Sequence, residues 1–176
     1  MMNLQEVSQK APAVFSTDKH PLKTSKYNFI STENIIDTFK DNNWYVESVS
    51  QPRSYKKHTI ENRCFHKHLI TFRNPDIKEI NGIIPTINVL NLHNGVSCFE
   101  MMLGLYRFVC ANGLVVSEAE FESIKLRHSK LAKERIEEGI QRIFEIVPLI
   151  TAKTEEMNSK VISIPDAIDL ARNIQT

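Results

Sequence analysis

Apolar residues recur along the chain either at helical spacing or at every second position, as in a strand. The points where one spacing replaces the other delimit the predicted elements. Residues 1–26 are polar and sustain neither period, so we interpret them as an N-terminal arm. Thr32 is a predicted helix N-cap, and Ile35 and Ile36 begin the apolar face of the helix that follows. From Trp44 the pattern alternates with period two, which is typical of a strand.

Three strands are predicted after this first helix. One begins at Trp44, the second covers residues 60–73 and the third covers residues 83–92. Turn signals, of which Asn81-Gly82 is the clearest, separate them. Connections this short favour antiparallel neighbours, so the three strands are predicted to form a meander.

The segment from Asn91 to Val116 is interpreted as the end of a strand, a turn and a capped amphipathic helix. Ser97 and Glu100 have the spacing of a capping box, and apolar side chains follow at helical spacing. Asn112-Gly113 is a typical helix C-cap. Because capping and core packing account for these residues, we expect this helix to support the sheet and not to carry an active site.

Two short strands and a long helix are predicted in the remainder of the chain. The strands lie at residues 114–116 and 123–127, and the helix begins at Ser129. Pro148 is expected to kink or end it, and a short last helix is predicted to begin near Pro165.

These elements predict an α+β fold, in which helices pack an antiparallel β-meander of three or more strands and a long helix lies towards the C-terminus. The predicted organisation is an N-terminal arm (residues 1–26), one α+β domain (residues 27–150) and a C-terminal helical tail (residues 151–176). A chain of 176 residues, 41% of them hydrophobic, is long enough to bury its own core.

Composition narrows the cellular context. The three cysteines are odd in number and irregularly spaced, which argues against a disulfide framework and for a reducing compartment. No apolar run approaches the length of about 18 residues that a membrane span requires. The first residues lack the pattern of a signal peptide, so we expect a cytoplasmic protein without a membrane partner.

Positive charge is concentrated between Pro52 and Arg73, although the net charge of the whole chain is only +1. Glu61 is the only acid in this segment, and Tyr55 and Phe65 interleave with the basic residues. Phosphate contacts with occasional base stacking on the two aromatic rings require such a mixture. The alternative is a solvated hairpin whose lysines protect an edge strand. The predicted phosphate contacts are Arg53, Lys56, Lys57, Arg63, Lys67 and Arg73.

A second basic cluster, Arg127, His128 and Lys130, lies where the last strand ends and the long helix begins. Cations oppose the dipole of a helix at its N-terminus, so their presence there favours a bound anion such as phosphate. The alternative is pairing of the basic residues with glutamates along the helix.

No catalytic or metal-binding motif is present. Cys64, His66 and His68 alternate along one predicted strand, where a His-x-His pair can bind zinc, but the chain has no Cys-x-x-Cys pair. The residues that could complete such a site are Cys98, Cys110, His93 and His128. It also has no phosphate-binding glycine loop and no nucleophile elbow. We therefore predict no metal, no cofactor and no enzymatic activity.

Several short motifs are similar to those of domain-of-unknown-function family 932, the phage/plasmid-like proteins. The similarity covers roughly residues 25–150 and departs from the family pattern at Leu92, where serine is usual. The resemblance implies an origin in a phage, prophage or plasmid and implies no established chemistry. The matching residues are Tyr27 to Thr32, His68 to Arg73, Asn91, His93, Asn94, Gly95, Arg107, Val109, Cys110, Asn112, Gly113, Leu114, Arg127 and His128.

A second resemblance is one of topology. A helix, a three-stranded meander and a further helix on the sheet are similar to the core of single-strand annealing proteins of the Rad, Red-beta and Erf superfamily. That resemblance implies rings or filaments on single-stranded DNA. It is an analogy between folds, which by itself does not establish function.

The sequence thus favours a non-enzymatic nucleic-acid-binding protein of a mobile element, with single-stranded DNA as partner and a homo-oligomer as the working form. The alternative is a small inhibitor that binds a host defence protein. Binding of single strands at low salt discriminates between the two.

Overall fold

The computed structural model describes residues 1–21, 27–52, 63–79, 83–94, 98–108, 115–129, 131–159 and 163–166. Three α-helices and five strands have bounds in these ranges, together with one 3-10 turn at Pro12–Phe15, and residues 164–166 are also helical. In chain order they are α1 (Leu4–Lys10), α2 (Thr32–Asp41), β1 (Tyr45–Ser50), β2 (His68–Arg73), β3 (Ile83–Asn91), β4 (Phe99–Phe108), β5 (Val115–Leu126) and α3 (Ala132–Ser159).

The five strands form one antiparallel sheet whose spatial order, β1-β2-β3-β4-β5, is the order of the chain. In β2 the buried side chains of Ile70 and Phe72 alternate with Thr71, which places them on the core face. The register sets Ile70 opposite Val89 and Phe72 opposite Ile87, so each apolar residue meets another on the same face. The predicted α+β class and antiparallel meander are confirmed.

The helix predicted after Asn91 is wrong, because residues 99–108 form the strand β4. Phe99, Met101 and Leu103 are completely buried at period two. Met101 and Leu103 stand opposite Val89 and Ile87 of β3. Phe99 and Leu103 fit both the helical and the strand pattern. The segment forms a strand because it pairs with a neighbouring strand on each side.

The predicted capping box fails for a related reason. Glu100 does not cap a helix, because it lies in β4. Its carboxylate lies 2.6 Å from the Lys125 ammonium of the neighbouring strand. Ser97, Asn112 and Gly113 lie outside the described residues. The two short strands predicted after them belong to one strand, β5, which pairs with β4 from Val115 to Leu126 with two register shifts.

The long C-terminal helix is confirmed as α3, but it does not end at Pro148. It continues through that proline to Ser159 and comprises 28 residues. Its buried stripe includes Ile136, Ile140 and Ile143, which pack into the same core as the sheet.

The polar N-terminal segment contains two short elements that pack into the core. Asn3 and Glu6 form a capping box at the start of α1, and Val7 is completely buried. The Met2 amide donates to the Val46 carbonyl at 2.8 Å, which ties the segment to β1. Among the described residues, no helix is both long and apolar enough to cross a membrane.

Candidate nucleic-acid interface

One end of the sheet gathers most of the polar residues of interest, and we call it the histidine end. The register places His68, at the start of β2, opposite Asn91, at the end of β3. It also places Phe99, at the start of β4, opposite Leu126, at the end of β5. The histidine end therefore comprises the residues that flank these four strand ends, including His68, His93 and His128.

A chain of hydrogen bonds joins β3 to the start of α2 and to β2. The side-chain amide of Asn91 donates to the Thr32 hydroxyl at 2.8 Å, and that hydroxyl oxygen lies 2.9 Å from His68 Nε2. His68 Nδ1 is 3.1 Å from the carbonyl of His66, which only accepts. His68 therefore carries its proton on Nδ1, and its Nε2 accepts from Thr32.

His93 connects the end of β3 to the N-terminal segment. Its Nε2 donates to the Ala13 carbonyl at 3.0 Å, and the residue is completely buried. Its ring centroid lies 4.7 Å from that of Phe29 and 5.2 Å from that of His68. Nδ1 is then left as an acceptor, and no residue of the described ranges donates to it.

The segment of residues 27–30, which we call the strap, crosses the histidine end. The Tyr27 ring stacks on His128 at 4.6 Å, and its hydroxyl donates to the Leu92 carbonyl at 3.2 Å. The Asn28 amide donates to the His128 carbonyl at 3.1 Å, while His128 Nδ1 lies 3.3 Å from the Asn28 carbonyl. The strap thereby links β3 to the residues that follow β5.

Burial keeps these histidines neutral. Desolvation lowers the pKa of His68 to about 4, against the opposing effect of its bond to the His66 carbonyl. Desolvation, together with repulsion from His68 and His128, lowers the pKa of His93 to about 3. Desolvation also lowers the pKa of His128 and raises the pKa of Tyr27 to about 12. The histidine end thus gains no positive charge from these rings at neutral pH.

The structure places three of the predicted phosphate contacts at one end of the sheet and a fourth at the other end. Arg63 and Lys67 precede β2 and Arg127 follows β5, so all three belong to the histidine end. Arg73 stands opposite Tyr45 at the other end of the sheet, with its guanidinium 3.9 Å from Glu47. Lys67 and Arg127 are exposed.

Two other predicted site residues are partly or wholly covered. His128 is only 8% exposed, so its ring is held inside the strap and not presented to solvent. Phe65 is half-buried, with its ring edge-to-face with His20 at 4.9 Å. Arg53, Tyr55, Lys56, Lys57 and Lys130 lie outside the described residues.

Sequence reasoning missed the polar network that organises this end. Thr32 was interpreted only as a cap, although the N-cap is in fact Ser31, whose hydroxyl accepts from the Asn34 amide at 3.2 Å. A usable signal was nevertheless present. Asn91 and His93 lie at and just after the end of a mostly apolar strand, where buried polar residues must find hydrogen-bond partners.

The described cysteines and histidines of this end were considered as metal ligands. Within the described ranges, no group of three or more His, Cys, Asp or Glu side chains has a geometry suited to a metal ion. Cys64 and Cys98 are free and half-buried, and Cys110 lies outside those ranges.

The fold and the closed histidine end define an α+β protein with a five-stranded meander and a polar core at one end of the sheet. The chain matches the model of the family described as Domain of unknown function (DUF932) over residues 19–176, and it belongs to that family. The resemblance found in the sequence motifs is thereby confirmed.

Two curated relatives come from Escherichia coli strain K12. The chain is 29% identical over 173 residues to UPF0380 protein YafZ and 28% identical over 169 residues to UPF0380 protein YfjQ. Each match covers 96% of this chain and 60% of the relative, so the chain spans less than two thirds of the relatives' length. No solved structure matches, which leaves the topological resemblance to single-strand annealing proteins without support.

Proposed function

We propose that this chain is a cytoplasmic, non-enzymatic protein of a phage, prophage or plasmid that binds single-stranded nucleic acid at the histidine end. The observation that carries the proposal is that Lys67 and Arg127 lie at the same end of the sheet. They are far apart in sequence, and both are exposed where the strands β2 and β5 meet the same end of the sheet. Exposed cations grouped on one side of a protein are the electrostatic footprint of phosphate binding.

The local balance of charge supports this location. Glu100, an acid of the histidine end, has its carboxylate 2.6 Å from Lys125 and is thus already neutralised. The residues between the end of β1 and the start of β2 include Arg53, Lys56 and Lys57. Since Ser50 pairs with Leu69, β1 ends where β2 begins, and both ends of that basic connection are anchored at the histidine end.

The buried histidines suit a scaffold better than a catalyst. His68 and His93 are 1% and 0% exposed, and each directs a ring proton to a backbone carbonyl. A general acid or base must reach its substrate within hydrogen-bonding distance. These rings instead hold the strap and the N-terminal segment in place behind the proposed phosphate contacts.

The test uses a fluorescent single-stranded oligonucleotide and three alanine variants. Lys67→Ala and Arg127→Ala are expected to weaken binding several-fold and to reduce the slope of log Kd against log salt by about one each. Lys78→Ala is the matched control, because this exposed lysine follows β2 at the opposite end of the sheet. Absence of binding at low salt, or an equal loss with Lys78→Ala, would contradict the proposal.

The proposal includes self-association on nucleic acid. Particle size measured with and without a single strand is expected to increase to that of a ring or filament. A particle that stays monomeric, ignores DNA and captures one host protein in stoichiometric amount would favour the inhibitor of host defence instead.

A further inference from the structure

A pocket of about 390 Å³ opens between α2 and the first half of α3. Apolar side chains, among them Ile35 and Ile136, form its walls. Polar groups of Asn28, Asn34 and Ser129 also line it. The pocket thus combines apolar walls with neutral hydrogen-bonding groups, as small-molecule sites between helices do.

The pocket is continuous with the histidine end. Asn28 belongs to the strap, and its amide donates to the His128 carbonyl at 3.1 Å. Ser129 follows Arg127 and His128 directly in the chain and lines the pocket. A single-stranded nucleic acid whose phosphate contacts Arg127 would therefore pass beside the pocket.

We propose that this pocket receives one nucleobase of the bound single strand, an inference that rests on the proposed function. A base has apolar faces and a polar edge, and single-stranded recognition relies on bases that are splayed out of the strand. The apolar walls, which include Ile35 and Ile136, match the faces of a base. The side-chain amides of Asn28 and Asn34 match its polar edge. Asparagine suits this role because its amide both donates and accepts.

The size and charge of the pocket favour this occupant. Its volume is near the lower limit of about 300 Å³ for ligand sites, which suits one base and excludes a paired duplex. Lys133 and Glu137 both line it and lie 4.0 Å apart, so their charges offset each other. A neutral base enters such a site more readily than a second phosphate.

The experiment uses a single-stranded oligonucleotide that carries the fluorescent base 2-aminopurine at one position. When the protein binds it, the inserted base is expected to become at least several-fold less accessible to acrylamide quenching. Asn34→Trp places a bulky side chain in the pocket and is expected to restore quenching and weaken binding. Gln141→Trp is the matched control, because Gln141 is also neutral, exposed and helical but does not line the pocket.

The outcomes separate this inference from the proposed function. If the oligonucleotide binds but 2-aminopurine at every position tried stays open to acrylamide, the pocket receives no base and only the inference fails. The same holds if Asn34→Trp and Gln141→Trp protect it equally. If no single strand binds at low salt, both fail. Whether the bound strand protects 2-aminopurine is measured on the unaltered protein. The inference can therefore be tested even if a variant does not fold.

Discussion

At the scale of single residues, Asn91 shows how a buried polar side chain organises its surroundings. Its amide donates to the Ile30 carbonyl and the Thr32 hydroxyl, and its carbonyl oxygen accepts from the Leu92 amide. The residue is completely buried, so nothing but these partners can satisfy it. One carboxamide therefore fixes the strap, the start of α2 and the end of β3 together.

Replacing Asn91 by alanine leaves a buried carbonyl and a buried amide without partners. We expect Asn91→Ala to lower the free energy of unfolding by about 2–4 kcal/mol in urea denaturation. Asn42→Ala is the control, because Asn42 is exposed and its side chain makes only an exposed bond to Thr38. That control is expected to cost about 0.5 kcal/mol, and an equal loss in the two variants would contradict the prediction.

The depressed histidine pKa values predict acid sensitivity. His68 and His93 stay neutral when folded, whereas the unfolded chain takes up protons below its ordinary histidine pKa of 6.5. The unfolded state then binds more protons, so stability is full above pH 6.5 and falls as the pH drops towards the folded values of about 4 and 3. Each ring is expected to cost about 2 kcal/mol between pH 7 and pH 5.

Urea denaturation at pH 7, 6 and 5 checks this prediction. His93→Gln keeps an amide donor for the Ala13 carbonyl but removes one titrating group. Its stability is expected to fall less steeply with pH than that of the unaltered protein. Parallel pH curves for the two proteins would show that His93 does not contribute.

At the scale of secondary structure elements, β4 marks the limit of local sequence patterns. In β2, Ile70 and Phe72 alternate as predicted, although the strand covers only His68–Arg73 of the predicted residues 60–73 and Thr71 between them is also buried. In β4, Phe99, Met102 and Leu103 satisfy the helical spacing, while Phe99, Met101 and Leu103 satisfy that of a strand. Pairing with β3 and β5 decides between the two, and those partners are not visible in the local pattern.

The N-terminal segment was obscure for a different reason. Val7 is the single buried residue of α1, so a seven-residue helix shows no apolar period. Its capping box at Asn3 and Glu6 was nevertheless visible in the sequence. The basic residues could be singled out as candidate phosphate contacts because charge is readable in sequence, whereas the strap and the pocket depend on contacts between distant segments.

The packing of α3 on the sheet depends on Gly139. A Cβ at this position would lie 2.5 Å from Ile124 Cδ1 and 3.4 Å from Met101 Cε, so the helix touches the sheet there. Gly139→Leu is expected to lower the free energy of unfolding by about 3 kcal/mol through overpacking. Glu138→Leu, at the exposed neighbouring position, is expected to change it by about 0.5 kcal/mol or less.

Alanine at the same position distinguishes overpacking from loss of helix geometry. The Cβ of Gly139→Ala clashes only with the flexible end of the Ile124 side chain, since its distance to Met101 Cε is that of an ordinary contact, and the gain in helix propensity of about 1 kcal/mol offsets the clash. Its stability is expected to stay within about 1 kcal/mol of the unaltered protein in the same denaturation experiment. A loss as large as that of leucine would mean that α3 cannot adjust at all.

At the scale of the whole molecule, the sheet and the histidine end are assembled from different kinds of contact. Each strand pairs with its neighbour in the chain, so the sheet is built from successive hairpins. The histidine end instead joins Ala13 to His93 and Asn28 to His128, pairs that are 80 and 100 residues apart. The family match over residues 19–176 covers the sheet and the contact between Asn28 and His128, whereas Ala13 lies before it.

This difference has a consequence for folding kinetics. Closing long loops costs more entropy than closing hairpins, so we expect the sheet to form in the folding transition state and the strap to dock afterwards. Asn91→Ala should therefore accelerate unfolding and leave the refolding rate nearly unchanged in stopped-flow measurements. Slower refolding would instead mean that the strap is already docked in the folding transition state. With late docking, the surface proposed to bind nucleic acid is the last part of the protein to form and the first to open.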